Sequence, residues 1–189
     1  MKIIFHKIGY KNILSTGENW TEIQLDKSGK TIITGHNGAG KSTILDALCF
    51  GLYGKPFRKI NKPQLINSIN QKDMQVEVYF TVGGNEYLVR RGIKPNLFEI
   101  YVNGNLIDQE AAVRDYQSYL EQNILGINYK SFNQIVVLGS ATYVPFMELP
   151  AHQRRDIIED LLDIQVFSTM NTLLKDRVSS NREEITENS

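Results

Sequence analysis

The residues best placed to do chemistry lie together between Gly35 and Thr43. The run Gly35-His36-Asn37-Gly38-Ala39-Gly40-Lys41-Ser42-Thr43 holds a glycine, four intervening residues and then Gly-Lys-Ser. Small residues at this spacing let successive backbone N–H groups curl around an anion without Cβ clashes. Lys41 adds a mobile positive charge for the β- and γ-phosphates of a nucleoside triphosphate and is the candidate catalytic residue; the Ser42 hydroxyl is a hard oxygen suited to Mg²⁺. The groups expected to hold ATP are therefore those of Gly35, Asn37, Gly38, Ala39, Gly40, Lys41, Ser42 and Thr43, with Ser42 on the metal. His36 occupies a position expected to be exposed.

Such a loop works only between a strand that delivers it and a helix that points N–H groups and the positive end of its dipole at the anion. Both flanks are legible. Thr31-Ile32-Ile33-Thr34 reads as a short apolar strand. Ser42 to Tyr53 reads as a helix, because Ile44, Leu45, Leu48 and Leu52 recur at spacings of three and four, with Gly51 and Gly54 marking its end.

Around this core the chain reads as follows. Ile3–Ile8 and Thr21–Leu25 are expected strands. Residues 55–71 are polar, with Pro56 and Pro63, and read as a surface loop. Three strands follow, at 75–82, 86–91 and 97–101, with Gly83-Gly84 and Asn103-Gly104 as hairpin turns. That block is antiparallel. Residues 110–124 read as a helix ended by Gly126, and 132–138 as helix or strand. Pro150 opens a helix carrying Ile157, Ile158, Leu161 and Leu162. Beyond it, Phe167, Met170 and Leu174 continue at spacings of three and four into a polar tail, the pattern of a long exposed helix.

Composition bounds the class without naming it. The 189 residues are enough for one domain with a full core. Lys+Arg and Asp+Glu number 21 each, so any nucleic-acid contact must come from a local patch. One cysteine, Cys49, excludes an internal disulfide framework. No leader and no apolar run of about 20 residues is legible, so a cytoplasmic, non-membrane protein is expected.

Other residues have competing readings. Cys49 reads as a small core residue. Asp46, one turn after Ser42, reads as a structural helix acid rather than a metal tuner. Lys55, Arg58, Lys59 and Lys62 form a basic cluster that is either surface charge or a contact to nucleotide or DNA, Lys59 and Lys62 being the DNA candidates. Arg154 and Arg155 open a helix, where cations oppose the dipole, which favours an external partner. An acidic pair closing an apolar strand, needed to complete a triphosphatase, is not legible; Ile157-Ile158-Glu159-Asp160 is helical.

The ordered set resembles a family. The opening strands, Ile8-Gly9-Tyr10-Lys11-Asn12-Ile13-Leu14-Ser15, the glycine loop with Ile44-Leu45-Asp46-Ala47-Leu48, and the segment Pro145–Pro150 through Arg154–Leu162 are similar to the N-terminal half of SMC-like ATPases of the SbcC kind. These are the ATPase subunits of double-strand-break nuclease complexes. The resemblance implies an α/β fold: a P-loop ABC/SMC-type ATPase head lobe over residues 1–165, a mixed sheet with an antiparallel β subdomain, and the start of a coiled coil over 166–189. It implies a second lobe carrying a signature motif, an acidic pair and a switch histidine. It also implies a homodimer of heads with ATP sandwiched between them, double-stranded DNA ends near the closed heads, and an SbcD-like metallo-nuclease at the coiled-coil base. Ser15 and Thr16 then fall near the nucleotide.

Two departures from the family pattern bear on the site. The glutamine that reaches the metal in many relatives falls on Ser140, counted from Phe132, and its glycine on Ala141. The arginine that often precedes the serine near Ser15 is Leu14. A small P-loop kinase and a transporter-type ATPase subunit are the alternative readings. The kinase requires βαβ repeats, and the transporter subunit a link to a membrane domain.

Overall fold

In this computed structural model residues 2–107, 113–137, 144–162 and 164–187 are described. The strands are β1 (Ile3–Lys11), β2 (Thr21–Gln24), β3 (Met74–Val82), β4 (Asn85–Ile93), β5 (Leu97–Val102) and β6 (Asn105–Leu106). They form one antiparallel sheet in the order β2-β1-β3-β4-β5-β6. Alternation decides which face is covered. Met74, Val76, Val78, Phe80 and Val82 of β3 are buried while the residues between them are only half-buried, the pattern of a sheet with one face on a core.

The helix on that face is α1 (Thr43–Tyr53). It ends where Gly54, at φ 67°, turns left-handed and donates its N–H to the Phe50 carbonyl at 2.8 Å. Gly51 does not end the helix, contrary to the sequence expectation. It lies within α1, where a Cβ would stand 2.6 Å from Val78 Cγ2, so the glycine sets how closely helix and sheet approach. The expected strand at 31–34 is not formed either. That stretch pairs with no strand among the described residues, and Ile32 is 88% exposed. A strand exists only with a hydrogen-bonded neighbour, and apolar character alone does not provide one.

Two compact units are distinguished, Met1–Leu125 and Gly126–Ser189. The first holds the sheet, α1, α2 (Val113–Tyr119) and a turn and a half of π-helix at Leu120–Leu125. The all-antiparallel pairing opposes the kinase alternative, which requires parallel βαβ units. In the second unit, α3 (Tyr129–Ile135) resolves the helix-or-strand ambiguity, with the Asn128 side chain capping it at Ser131 N, 3.0 Å. It is tied to α4 (Ala151–Leu161) by Lys130–Asp156 at 2.9 Å and by the Asn128 N–H to Asp160 at 3.2 Å. Of the four apolar residues expected on one face of α4, only Ile157 is buried. α5 (Gln165–Glu187) carries Phe167, Met170, Leu174 and Val178 exposed. None of the described helices is long and apolar enough to cross a membrane.

Candidate nucleotide-binding site

The glycine loop is shaped by two left-handed glycines and closed by its own backbone. Gly38 and Gly40 lie at φ 87° and 88°, which only glycine adopts without strain. The Ala39 N–H donates to the His36 carbonyl at 3.1 Å and the Thr43 N–H to the Gly40 carbonyl at 3.0 Å. Residues 35–39 are exposed, Asn37 included. Lys41 Nζ bends back over the loop and donates to the Gly35 and His36 carbonyls, at 2.7 and 2.9 Å. The ammonium is thus held at the mouth of the loop by neutral acceptors, which an anion would readily outcompete. Ser42 stands at the helix start with no capping bond from its side chain, so its hydroxyl is open to a ligand. Thr43 is buried beneath it. A donor set of backbone amides, one amine and one open hydroxyl fits a phosphate chain with a hard divalent cation.

What fixes α1 also fixes this loop. Asp46, wholly buried, accepts from the Arg58 backbone N–H at 3.0 Å, from Nε at 2.6 Å and from Nη2 at 2.5 Å. It is therefore the structural acid of the two readings, and it ties the loop after α1 to the helix. Cys49 is a core residue: burial, then the nearby Asp46 charge, pushes its thiol up to about 12. At the far end of α1, Arg91 of β4 donates from Nε to the Gly51 carbonyl at 3.0 Å. Arg91 was not singled out in the sequence. The available signal was strand period: Arg91 shares a face with Val89 and pairs across from buried Val76.

The remaining candidates fall elsewhere. Ser15 is exposed in the turn after β1. Thr16 uses its hydroxyl within that turn, accepting from the Ile13 N–H at 3.0 Å and donating to the Ile13 carbonyl at 2.7 Å. Asn67 holds the same turn from outside, its amide donating to the Leu14 and Thr16 carbonyls, both at 3.0 Å. In the basic cluster, Arg58 is engaged by Asp46, and Lys62 Nζ lies 5.8 Å from the centroid of the Phe50 ring. Burial and then the Arg91 charge hold Lys62 below its ordinary pKa. Lys59 is exposed. Ser140 lies outside the described residues.

Known proteins resemble this chain along most of its length. A family model described as "AAA domain" matches residues 7–189. Exonuclease subunit 2 of Enterobacteria phage T4 is 50% identical over 170 residues, which is 90% of this chain and 30% of that protein. The DNA double-strand break repair Rad50 ATPase of Thermoplasma acidophilum is 30% identical over 94% of this chain and 20% of its own length. The chain thus spans about a third or less of the curated relatives it matches. Among solved structures, the Smc head domain of Pyrococcus furiosus, with an extended coiled coil, superposes with a TM-score of 0.64. It is 23% identical, over 98% of this chain and 48% of that one. Covered by that family model almost from end to end and superposing on part of such a head, the chain belongs to the AAA domain family and has the fold of about half of an Smc head domain.

Proposed function

We propose that this chain is the ATP-binding lobe of an SMC-like ATPase subunit, in which ATP-driven dimerisation of heads controls the action of a partner nuclease at double-stranded DNA ends. The observation that carries the reading is the loop itself: Lys41 Nζ held by the Gly35 and His36 carbonyls, and an uncommitted Ser42 hydroxyl at the start of α1. In this reading Gly35 and Asn37 to Thr43 hold the phosphates, Lys41 neutralises the β- and γ-phosphates, and Ser42 holds Mg²⁺. When bound, the metal supplies charge neutralisation at the γ-phosphate.

The acidic group and the signature motif that complete hydrolysis belong to a second lobe and to the opposing head. The unpaired stretch at 31–34 supports this, because exposed Ile32 leads straight into the loop and offers backbone groups for a further strand. Ser140 stands at the sequence position where relatives place a metal-reaching glutamine, so either it takes a shorter-reach role at the metal or the metal is coupled differently here. Ser15, exposed in the turn after β1, is the candidate there for a contact to the nucleotide. The exposed stripe Phe167, Met170, Leu174 and Val178 supports a coiled coil over α5, with the dock of an SbcD-like metallo-nuclease at its base. Such a complex works in the cytoplasm of its host.

Sedimentation of the assembled protein tests the reading. Mg²⁺-ATP is expected to convert single heads to paired heads, and Lys41→Ala to abolish that conversion. Pairing that is indifferent to both nucleotide and Lys41 would contradict it.

A further inference from the structure

The nucleotide loop is only as well aimed as the helix behind it, and the far end of that helix is held by a buried cation. Arg91 is 6% exposed. Its Nε donates to the Gly51 carbonyl at 3.0 Å and its Nη2 to Gln117 Oε1 at 2.7 Å, while its guanidinium carbon lies 3.6 Å from the centroid of the Phe98 ring. Gln117 of α2 completes the clasp: its Nε2 donates to the Leu52 carbonyl at 3.2 Å and to Glu121 Oε1 at 2.7 Å. Gly54 leaves room for it, since a Cβ there would stand 2.9 Å from Arg91 Nη1. The last carbonyls of α1 are thus bound by directed donors from two separate elements, β4 and α2.

A cation beside these carbonyls complements the negative end of the helix dipole. Mere packing would not call for it. Burial costs a charged group heavily, and a methionine or leucine would fill the space without that cost. What directed bonds supply and apolar packing does not is a fixed axial position and tilt. Gly51 lets α1 approach Val78 and Val76 closely, an apolar contact that sets the distance between helix and sheet but carries no directed bond. The helix has 11 residues, so it is about 16 Å long, and a tilt of about 5° about its far end moves Ser42 and the loop amides by roughly 1 Å. Displacements of that order are enough to spoil an anion site.

We propose that Arg91, with Gln117, is the positioning residue of the phosphate-loop helix, setting the axis along which the loop amides and Ser42 meet the nucleotide. The proposal rests on the nucleotide-binding function stated above. Arg91 touches no phosphate; it acts through α1.

The test is equilibrium binding of radiolabelled ATP with Mg²⁺ to the assembled ATPase–nuclease complex, read as Kd and stoichiometry together. Arg91→Met is expected to raise Kd at least about tenfold, the size of one lost hydrogen bond to a charged group, at parental stoichiometry. Arg91→Lys, which keeps the charge but lacks the planar fork, is expected to fall between. A merely structural role would lower the stoichiometry at the parental Kd, and that result overturns the proposal. If Arg91→Met does not fold, Gln117→Leu decides: Kd is expected to rise about threefold, and a parental Kd overturns the proposal. Lys41→Ala is the control that separates the two levels. If the parent binds no better than Lys41→Ala, the nucleotide site itself is wrong. If the parent binds well and Arg91→Met binds equally well, only the positioning role is wrong.

Discussion

Asp46 and Arg58 form a pair in which the acid is wholly buried and the base is nearly half exposed: the Asp46 carboxylate accepts three donors from Arg58 at 2.5–3.0 Å. The asymmetry predicts which partner matters more. Arg58→Ala leaves a buried carboxylate with only the backbone N–H at position 58 and is expected to destabilise the fold by about 3 kcal/mol. Asp46→Asn keeps an acceptor and leaves the arginine free to reach water, so it should cost about 1–2 kcal/mol. Urea denaturation of the two variants checks the order; equal midpoints would show that the pair is not the tie between α1 and its following loop.

Gly51 predicts a steric effect. A methyl there would meet Val78 Cγ2 at 2.6 Å and Val76 Cγ1 at 3.1 Å, so Gly51→Ala should destabilise by about 1–3 kcal/mol although alanine is the better helix former. Pairing it with Val78→Ala should recover part of the loss, and a double-mutant cycle with no coupling would contradict the close approach.

These two residues also mark where the sequence was and was not legible. The loop was readable because its chemistry is local: glycines at positive φ, then lysine and serine at the start of a periodic helix. β3 was readable because its apolar residues alternate, and the Gly83-Gly84 and Asn103-Gly104 turns because positive φ demands those residue types. Gly51 was misread as a helix end because close packing against Val78 is a tertiary fact. The stretch at 31–34 was misread because its apolar residues signal a strand while the partner that would make it one is not among the described residues. Arg90 and Arg91 are alike in type, and only the strand alternation separates them, sending one outward to Glu77 and the other inward to α1.

Tyr79 on the outer face of the sheet predicts an alkaline transition. Its hydroxyl donates to Glu77 at 2.8 Å, and burial followed by that hydrogen bond pushes its pKa up to about 12. A folded pKa above the unfolded value of about 10 means the protonated form is favoured by the fold. Its contribution is therefore complete below pH 10 and is lost as pH rises towards 12. Ultraviolet titration should show this tyrosine ionising late, and Tyr79→Phe should remove the pH 10–12 part of the stability loss. An unchanged profile would show that the bond to Glu77 contributes nothing.

The basic cluster yields a narrower DNA prediction than its four cations suggest. Arg58 is engaged by Asp46 and Lys62 lies against Phe50, so Lys59 is the better placed for a phosphate. With the complex saturated by nucleotide, Lys59→Ala should flatten the plot of log K against log salt by about 0.9, with sequence preference unchanged. Adding Lys62→Ala should change the slope by less. An identical slope in parent and variant would remove Lys59 from the DNA surface.

The most direct measurement of the central claim is ATP binding by the assembled complex with and without the Lys41 amine. Lys41→Ala removes the charge that now rests on the Gly35 and His36 carbonyls, and it leaves α1 and its anchors at Asp46, Gly51 and Arg91 intact. Mg²⁺-ATP affinity is predicted to fall at least about 10-fold, with ATP hydrolysis lost and thermal stability without nucleotide preserved. A folded Lys41→Ala complex that binds and hydrolyses ATP like its parent would contradict the account.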